Sequence, residues 1–135
     1  MLILVVACDH SETATCDAPE MRCFTSDWEI TAEPFTFTLQ SASPLFPERG
    51  LNTWTILISN QDIPAPECTL VVTPYMPEHM HGVPMPPSVT EKGNGRYELA
   101  DINLTMPGLW ELQFELTCPD TIEPTETSYL FWLDG

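Results

Sequence analysis

From Trp28 onward the apolar residues recur at every second position, the spacing of strands that lay one face on a core. Phe35, Phe37 and Leu39 alternate with Thr36 and Thr38. Pro34 has no amide proton to give to a ladder, so it predicts that this strand runs at a sheet edge. Trp54, Ile56 and Ile58 alternate with Thr55, Leu57 and Ser59 until Asn60-Gln61-Asp62 breaks the run. Cys68-Thr69-Leu70-Val71-Val72-Thr73 is rich in β-branched residues and bounded by prolines, which predicts a further strand. Ser88 to Glu91 reads as a short fourth, ahead of the turn residues Gly93-Asn94-Gly95. Tyr97 and Leu99 share one parity whereas Ile102 and Leu104 take the other, so a β-bulge near Ala100 and Asp101 is needed to keep them on one face. The clearest strand is Leu109 to Cys118, where Trp110, Leu112, Phe114 and Leu116 alternate with Glu111, Gln113, Glu115 and Thr117. Tyr129, Phe131 and Leu133 make a last one.

About seven short antiparallel strands separated by Pro, Gly and Asn turns form the pattern of an all-β, immunoglobulin-like sandwich over residues 28–135. In that arrangement the strand at 68–75 and the strand at 109–118 are antiparallel neighbours. Cys68 begins the first and Cys118 ends the second, so the two meet at one end of the sandwich, where a disulfide worth roughly 3 to 5 kcal/mol is sterically natural.

Composition narrows the picture. A length of 135 residues suffices for one core, and 14 prolines leave few windows for a helix of ordinary length. Against 20 acidic residues stand only Arg22, Arg49, Lys92 and Arg96, a formal net charge of -16 that repels phosphate backbones and excludes nucleic acid as a partner. Such a field enriches cations, although taken alone it signals solubility.

The start of the chain is different in kind. Residues 1–7 are apolar and too short to span a bilayer, and Val5-Val6-Ala7-Cys8 resembles a bacterial lipobox, which implies a signal-peptide remnant and lipid on Cys8. The plain structural reading of the same run is a buried first strand. Residues 8–27 carry Asp9, Glu12, Asp17, Glu20 and Asp27 with little apolar periodicity and read as an acidic tether. With Cys8 lipidated, four cysteines remain, an even number suited to an oxidising compartment; Cys16 and Cys23 can close a small loop beside the Cys68–Cys118 pair. Expected location is therefore the bacterial periplasm or cell envelope, with the membrane met only through the lipid.

The most unusual stretch is Met76-Pro77-Glu78-His79-Met80-His81-Gly82-Val83-Pro84-Met85-Pro86-Pro87. The strand at 68–75 runs toward it, and the strand at 109–118 starts beside it from Met106-Pro107-Gly108, so four of six methionines and two of three histidines converge at one rim. Imidazole and thioether together suit copper, the sulfur favouring Cu(I) and the nitrogen tolerating Cu(I) or Cu(II), whereas calcium and magnesium want oxygens. His79 and His81 are the first candidate ligands, followed by Met80, Met76, Met85 and Met106. Trp54 or Trp110 could cap the ion by a cation–π contact. Each piece also has a plain structural reading: methionines plug core ends, exposed histidines are solvated, and Pro107-Gly108 suits a type II turn.

The ordered set of Trp54, Met76-Pro77-Glu78-His79-Met80-His81-Gly82, Gly93-Asn94-Gly95-Arg96-Tyr97 and Met106-Pro107-Gly108-Leu109-Trp110 resembles the YtkA-like domain, related to the extracytoplasmic part of FixH-type proteins. The resemblance implies an exported immunoglobulin-like fold, often in copper handling or oxidase assembly. The expectation is a lipid-anchored copper carrier or buffer. It is not expected to be an enzyme, since no nucleophile, base and orienting group recur together and His10 joins His79 and His81 only if the tether folds back. Two rivals stand beside it: a metal-free module whose rim docks an extracytoplasmic protein partner, and Zn(II) held by the histidines.

Overall fold

The computed structural model describes residues 23–135. Ten strands follow in order: β1 (Glu29–Ala32), β2 (Phe35–Ser43), β3 (Gly50–Asn60), β4 (Ile63–Pro64), β5 (Thr69–Met76), β6 (His81–Gly82), β7 (Ser88–Gly93), β8 (Arg96–Leu104), β9 (Gly108–Thr117) and β10 (Thr125–Leu133). One antiparallel sheet has the order β1-β2-β3-β8-β7 with β4 also on β3; the other is β10-β9-β5-β6. The runs β2-β3-β8-β7 and β10-β9-β5 reproduce the two sheets of an immunoglobulin sandwich. All seven strands expected from the sequence are present, and the additional ones, β1, β4 and β6, are too short to show a period.

The inward positions are those that the period-two pattern selects: Phe35, Phe37 and Leu39 from β2, Trp54, Ile56 and Ile58 from β3, and Trp110, Leu112, Phe114 and Leu116 from β9 are all buried. The expected bulge in β8 is there. Asn52 pairs with Ile102 and Trp54 with Leu99, so β8 holds one residue more than β3 between them, with Asp101 in the left-handed region at φ 62°. Leu99, Ile102 and Leu104 consequently all face the core. The Gly93-Asn94-Gly95 hairpin turns with positive φ throughout. Gly95 presses on β3 so closely that a Cβ there would lie 2.6 Å from the Ile58 carbonyl oxygen.

Two boundaries differ from expectation. Pro34 does not put its strand at the edge: it occupies the two-residue turn between Ala32 and Phe35, outside the ladder, and β2 is paired on both sides. The tether ends earlier than residue 27, because Phe24 is buried against Trp54, Tyr129 and Phe131, and Trp28 stacks on Tyr129 at 4.4 Å. The apolar run at 1–7, lipidation of Cys8, the tether over 8–22 and Cys16 lie outside the described residues. Cys23 is disulfide-bonded.

One end of the sandwich is fastened covalently. Cys68 and Cys118 form a disulfide just beyond the Thr69 and Thr117 pair that begins the β5–β9 ladder. Above it the Tyr97 hydroxyl donates to the Ala65 carbonyl at 2.7 Å and accepts from the Cys68 amide at 3.1 Å. Burial raises the Tyr97 phenol above its ordinary pKa, against the lowering by the Cys68 amide and with smaller raising contributions from Glu91 and Glu67. The rim opposite is formed by loops.

Candidate metal centre

β5 carries the chain to that rim and turns back through Pro77-Glu78-His79-Met80 into β6. The Met76 carbonyl closes the turn by accepting from the amides of His79 at 3.1 Å and Met80 at 2.8 Å. Met80 takes the left-handed conformation at φ 58° that lets four residues reverse the chain. Gly82 then pairs with Tyr75, where a Cβ would lie 2.9 Å from the Pro74 carbonyl oxygen; only glycine lets β6 come this close.

This turn brings His79 and His81 side by side. Their ring centroids are 5.8 Å apart, tilted by 30°, and both residues are exposed. A ring bound through one nitrogen at about 2.0–2.1 Å has its centroid about 3.2 Å from the ion, so two rings sharing an ion sit about 5 to 6.4 Å apart. The observed spacing falls within that window. His81 Nδ1 lies 3.2 Å from the Gly82 carbonyl oxygen. In the tautomer that carries the proton on Nδ1, this contact is a donated hydrogen bond that orients the ring and leaves Nε2 free to ligate. The donor set therefore fits a soft or borderline cation.

The methionines divide. Met80, between the two histidines in the chain, and Met85, four residues beyond His81, are 79% and 74% exposed. Met76 is fully buried, and its methyl lies against Gly108, where a Cβ would approach it to 2.9 Å. Met106 is half-buried against the core, and its carbonyl accepts from Trp110 Nε1 at 2.9 Å. The segments at 76–81 and 106–108 thus meet at one rim, as the strand directions require, but Met76 meets the other segment as packing. Trp54 and Trp110 are both fully buried, which corrects the expectation that either could cap an ion held by the exposed imidazoles. Among the described residues no group of three or more His, Cys, Asp and Glu is gathered that could hold a metal ion.

Asn52 is a further polar residue at this rim, not among the candidates that the sequence offers. It is buried, its Nδ2 donating to the carbonyls of Glu48 at 2.8 Å and Gly50 at 3.0 Å while its Oδ1 accepts from the Glu48 amide. It shapes the loop that leads into β3 at the same rim; a polar residue breaking the apolar parity just before Trp54 was its signal. Two depressions lie away from the histidines. One, of about 390 Å³, is on the outer face of β5, β9 and β10 beside Glu111, Glu115 and Glu126. The other, of about 570 Å³, adjoins the Cys68–Cys118 bond.

The YtkA-like family model matches residues 29–115, which include the whole histidine turn and the Met106–Trp110 segment. Among solved structures, a DUF4426-family protein of Pseudomonas aeruginosa PAO1 aligns with a TM-score of 0.58 at 7% identity, over 79% of this chain and 94% of that one. A copper-bound variant of FetP from uropathogenic Escherichia coli strain F11 aligns with a TM-score of 0.55 at 10% identity, over 82% of this chain and 91% of that one. At these identities the likeness is one of fold. No curated protein matches the chain.

Proposed function

The chain belongs to the YtkA-like family, and from the geometry of its rim we propose that it is an exported, lipid-anchored copper-binding protein, a carrier or buffer and not a catalyst. The observation that carries this reading is the pair of exposed imidazoles, 5.8 Å apart on a single turn. His79 and His81 are the ligand pair, and Met80 and Met85 are the thioethers free to join them for Cu(I). A bound ion would supply only its own coordination chemistry; the protein positions the rings through the Met76 carbonyl turn and the Gly82 carbonyl contact.

Three further facts support the reading. Met80 occupies a left-handed backbone position that glycine or asparagine would fill at lower cost, so a methionine there is kept at some expense to stability. The Cys68–Cys118 disulfide suits an oxidising compartment. One protein of similar fold, the FetP variant, is copper-bound. A turn exposed among the described residues suits an ion that must be passed on, because incoming ligands can reach it without unfolding the protein.

The test is titration of the purified chain with Cu(I) and with Cu(II), repeated on His79→Ala/His81→Ala. The expected result is stoichiometric binding by the native chain and loss of most of the affinity in the double variant. Equal affinity in the two proteins ends the assignment of copper to this turn.

A further inference from the structure

The histidine turn ends at an open edge. β6 is only two residues long and the last strand of its sheet, and among the described residues no strand pairs with its outer side. In the turn itself Glu78, His79, Met80 and His81 are all exposed. One chain offers two imidazoles here, and no carboxylate, thiol or third imidazole among the described residues joins them. Ions that prefer nitrogen and oxygen over sulfur ordinarily take about four ligands. For those ions the described residues supply two ligands of about four, both on side chains exposed to solvent.

We propose that Zn(II) or Cu(II) at this turn is shared between two copies of the chain, each supplying His79 and His81. This inference rests on the metal-binding reading above and extends it to a partner. The ring spacing of 5.8 Å suits two imidazoles sharing one ion, both residues are exposed, and among the described residues no further strand lies beyond β6 to stand in the way of a second turn. Four imidazoles complete a nitrogen set that is tetrahedral about Zn(II) and square-planar or tetragonal about Cu(II). Cu(I) behaves differently, because Met80 and Met85, both largely exposed, complete its coordination within one chain. The identity of the ion thus sets the number of chains.

Charge gives the pairing a recognisable signature. Two chains of formal charge -16 repel one another, and a single divalent ion offsets little of that. Salt screens the repulsion over a distance of about 8 Å at physiological strength. The bridged pair therefore strengthens as salt is raised, whereas association driven by opposite charges would weaken.

The experiment is light-scattering mass measurement of the full chain with Cys8→Ser, which prevents intermolecular disulfides through that thiol, at increasing Zn(II), Cu(II) or Cu(I). With Zn(II) or Cu(II) the mass doubles at half an equivalent of ion, more completely at high salt, and returns to that of one chain with a chelator. His10→Ala leaves the doubling intact, whereas His79→Ala/His81→Ala abolishes it. Cu(I) binds without doubling. One Zn(II) or Cu(II) per chain with unchanged mass overturns the inference and leaves the metal-binding reading standing. Doubling that survives in His79→Ala/His81→Ala, or that disappears in His10→Ala, places the contact elsewhere and overturns it as well. No binding of any ion overturns both.

Discussion

Met76 separates a structural methionine from a ligand, and the rim geometry fixes what its replacement should do. Its side chain is fully buried, with the methyl in the notch left by Gly108. Met76→Leu keeps the volume and changes the shape, so the notch is imperfectly filled and the cost is about 1 kcal/mol. Met76→Ala removes three heavy atoms from a closed site and costs about 2 to 5 kcal/mol. At about 4 °C per kcal/mol for a domain of this size, the melting temperature falls by about 4 °C in the first variant and about 8 to 20 °C in the second. Gly108→Ala attacks the same contact from the other side. Its Cβ would stand 2.9 Å from the Met76 methyl on a backbone at φ 134°, so strain and collision together cost about 2 to 4 kcal/mol. Leucine at 76 does not reach as far, so the double variant recovers the collision part, a coupling of about 1 kcal/mol. Thermal unfolding compares all four variants with the native chain, and Cu(I) titration of Met76→Leu completes the comparison. Packing as the sole role predicts Cu(I) affinity within about threefold of the native chain. A loss beyond tenfold, about 1.4 kcal/mol, in a variant that remains folded would show that the thioether ligates and would refute the division of the methionines made here.

The remaining expectations are briefer. Met80→Gly relieves the left-handed backbone and raises stability by about 0.5–1 kcal/mol in denaturant unfolding while lowering Cu(I) affinity; an unchanged affinity removes Met80 from the ligand set. Replacing Cys68 and Cys118 together by alanine opens a loop closed across a sequence separation of 50 and costs about 4 kcal/mol, with metal affinity unchanged because the bond lies at the other end; equal stability of the two proteins would contradict it. Burial raises both Tyr97 and Tyr129 above the ordinary tyrosine pKa of 10.0. Up to that pH both folded and unfolded chains keep these protons, and above it the unfolded chain loses them first, so stability declines as pH rises through and beyond about 10. Ultraviolet titration of the folded chain should show these two phenols ionising later than in denaturant, and a single curve common to both states would contradict the burial.

The alternation of apolar residues carried most of the sandwich. Together with β-branched runs and turn residues it located seven strands, and the parity change between Leu99 and Ile102 located the bulge that Asp101 supplies. It misjudged Pro34 because a proline beside a strand has the same local signature whether it lies in the ladder or in the turn before it; partners distant in sequence decide. Phe24 was hidden because one aromatic in an acidic segment has no period, and its burial depends on Phe131 and Trp54, remote in the chain. At the candidate site, strand direction foretold that 76–81 and 106–108 meet. It did not foretell which way each side chain turns: the parity of β5 carries Met76 inward, while the left-handed residue beyond it turns Met80 out.

That division would also let the rim hold the proposed exchangeable ion without weakening the fold. Met76 and Met106 spend their apolar surface on the core, against Gly108 and beside Trp110, so the end of the sandwich stays sealed whether or not an ion is present. His79, Met80 and His81 sit beyond that seal on a turn closed by the Met76 carbonyl and braced by the Gly82 contact. Their positions depend on backbone hydrogen bonds, and none of the three side chains is part of the core. An ion can therefore leave them at little cost to the packing beneath. The opposite end, fastened by Cys68–Cys118 and the Tyr97 hydroxyl, holds β5 in register with β9 all the way to Tyr75. A rigid strand ending in a short exposed turn is thus the arrangement that presents two imidazoles at fixed spacing while leaving them open to an incoming ligand, and substitutions at the turn should change affinity far more than stability.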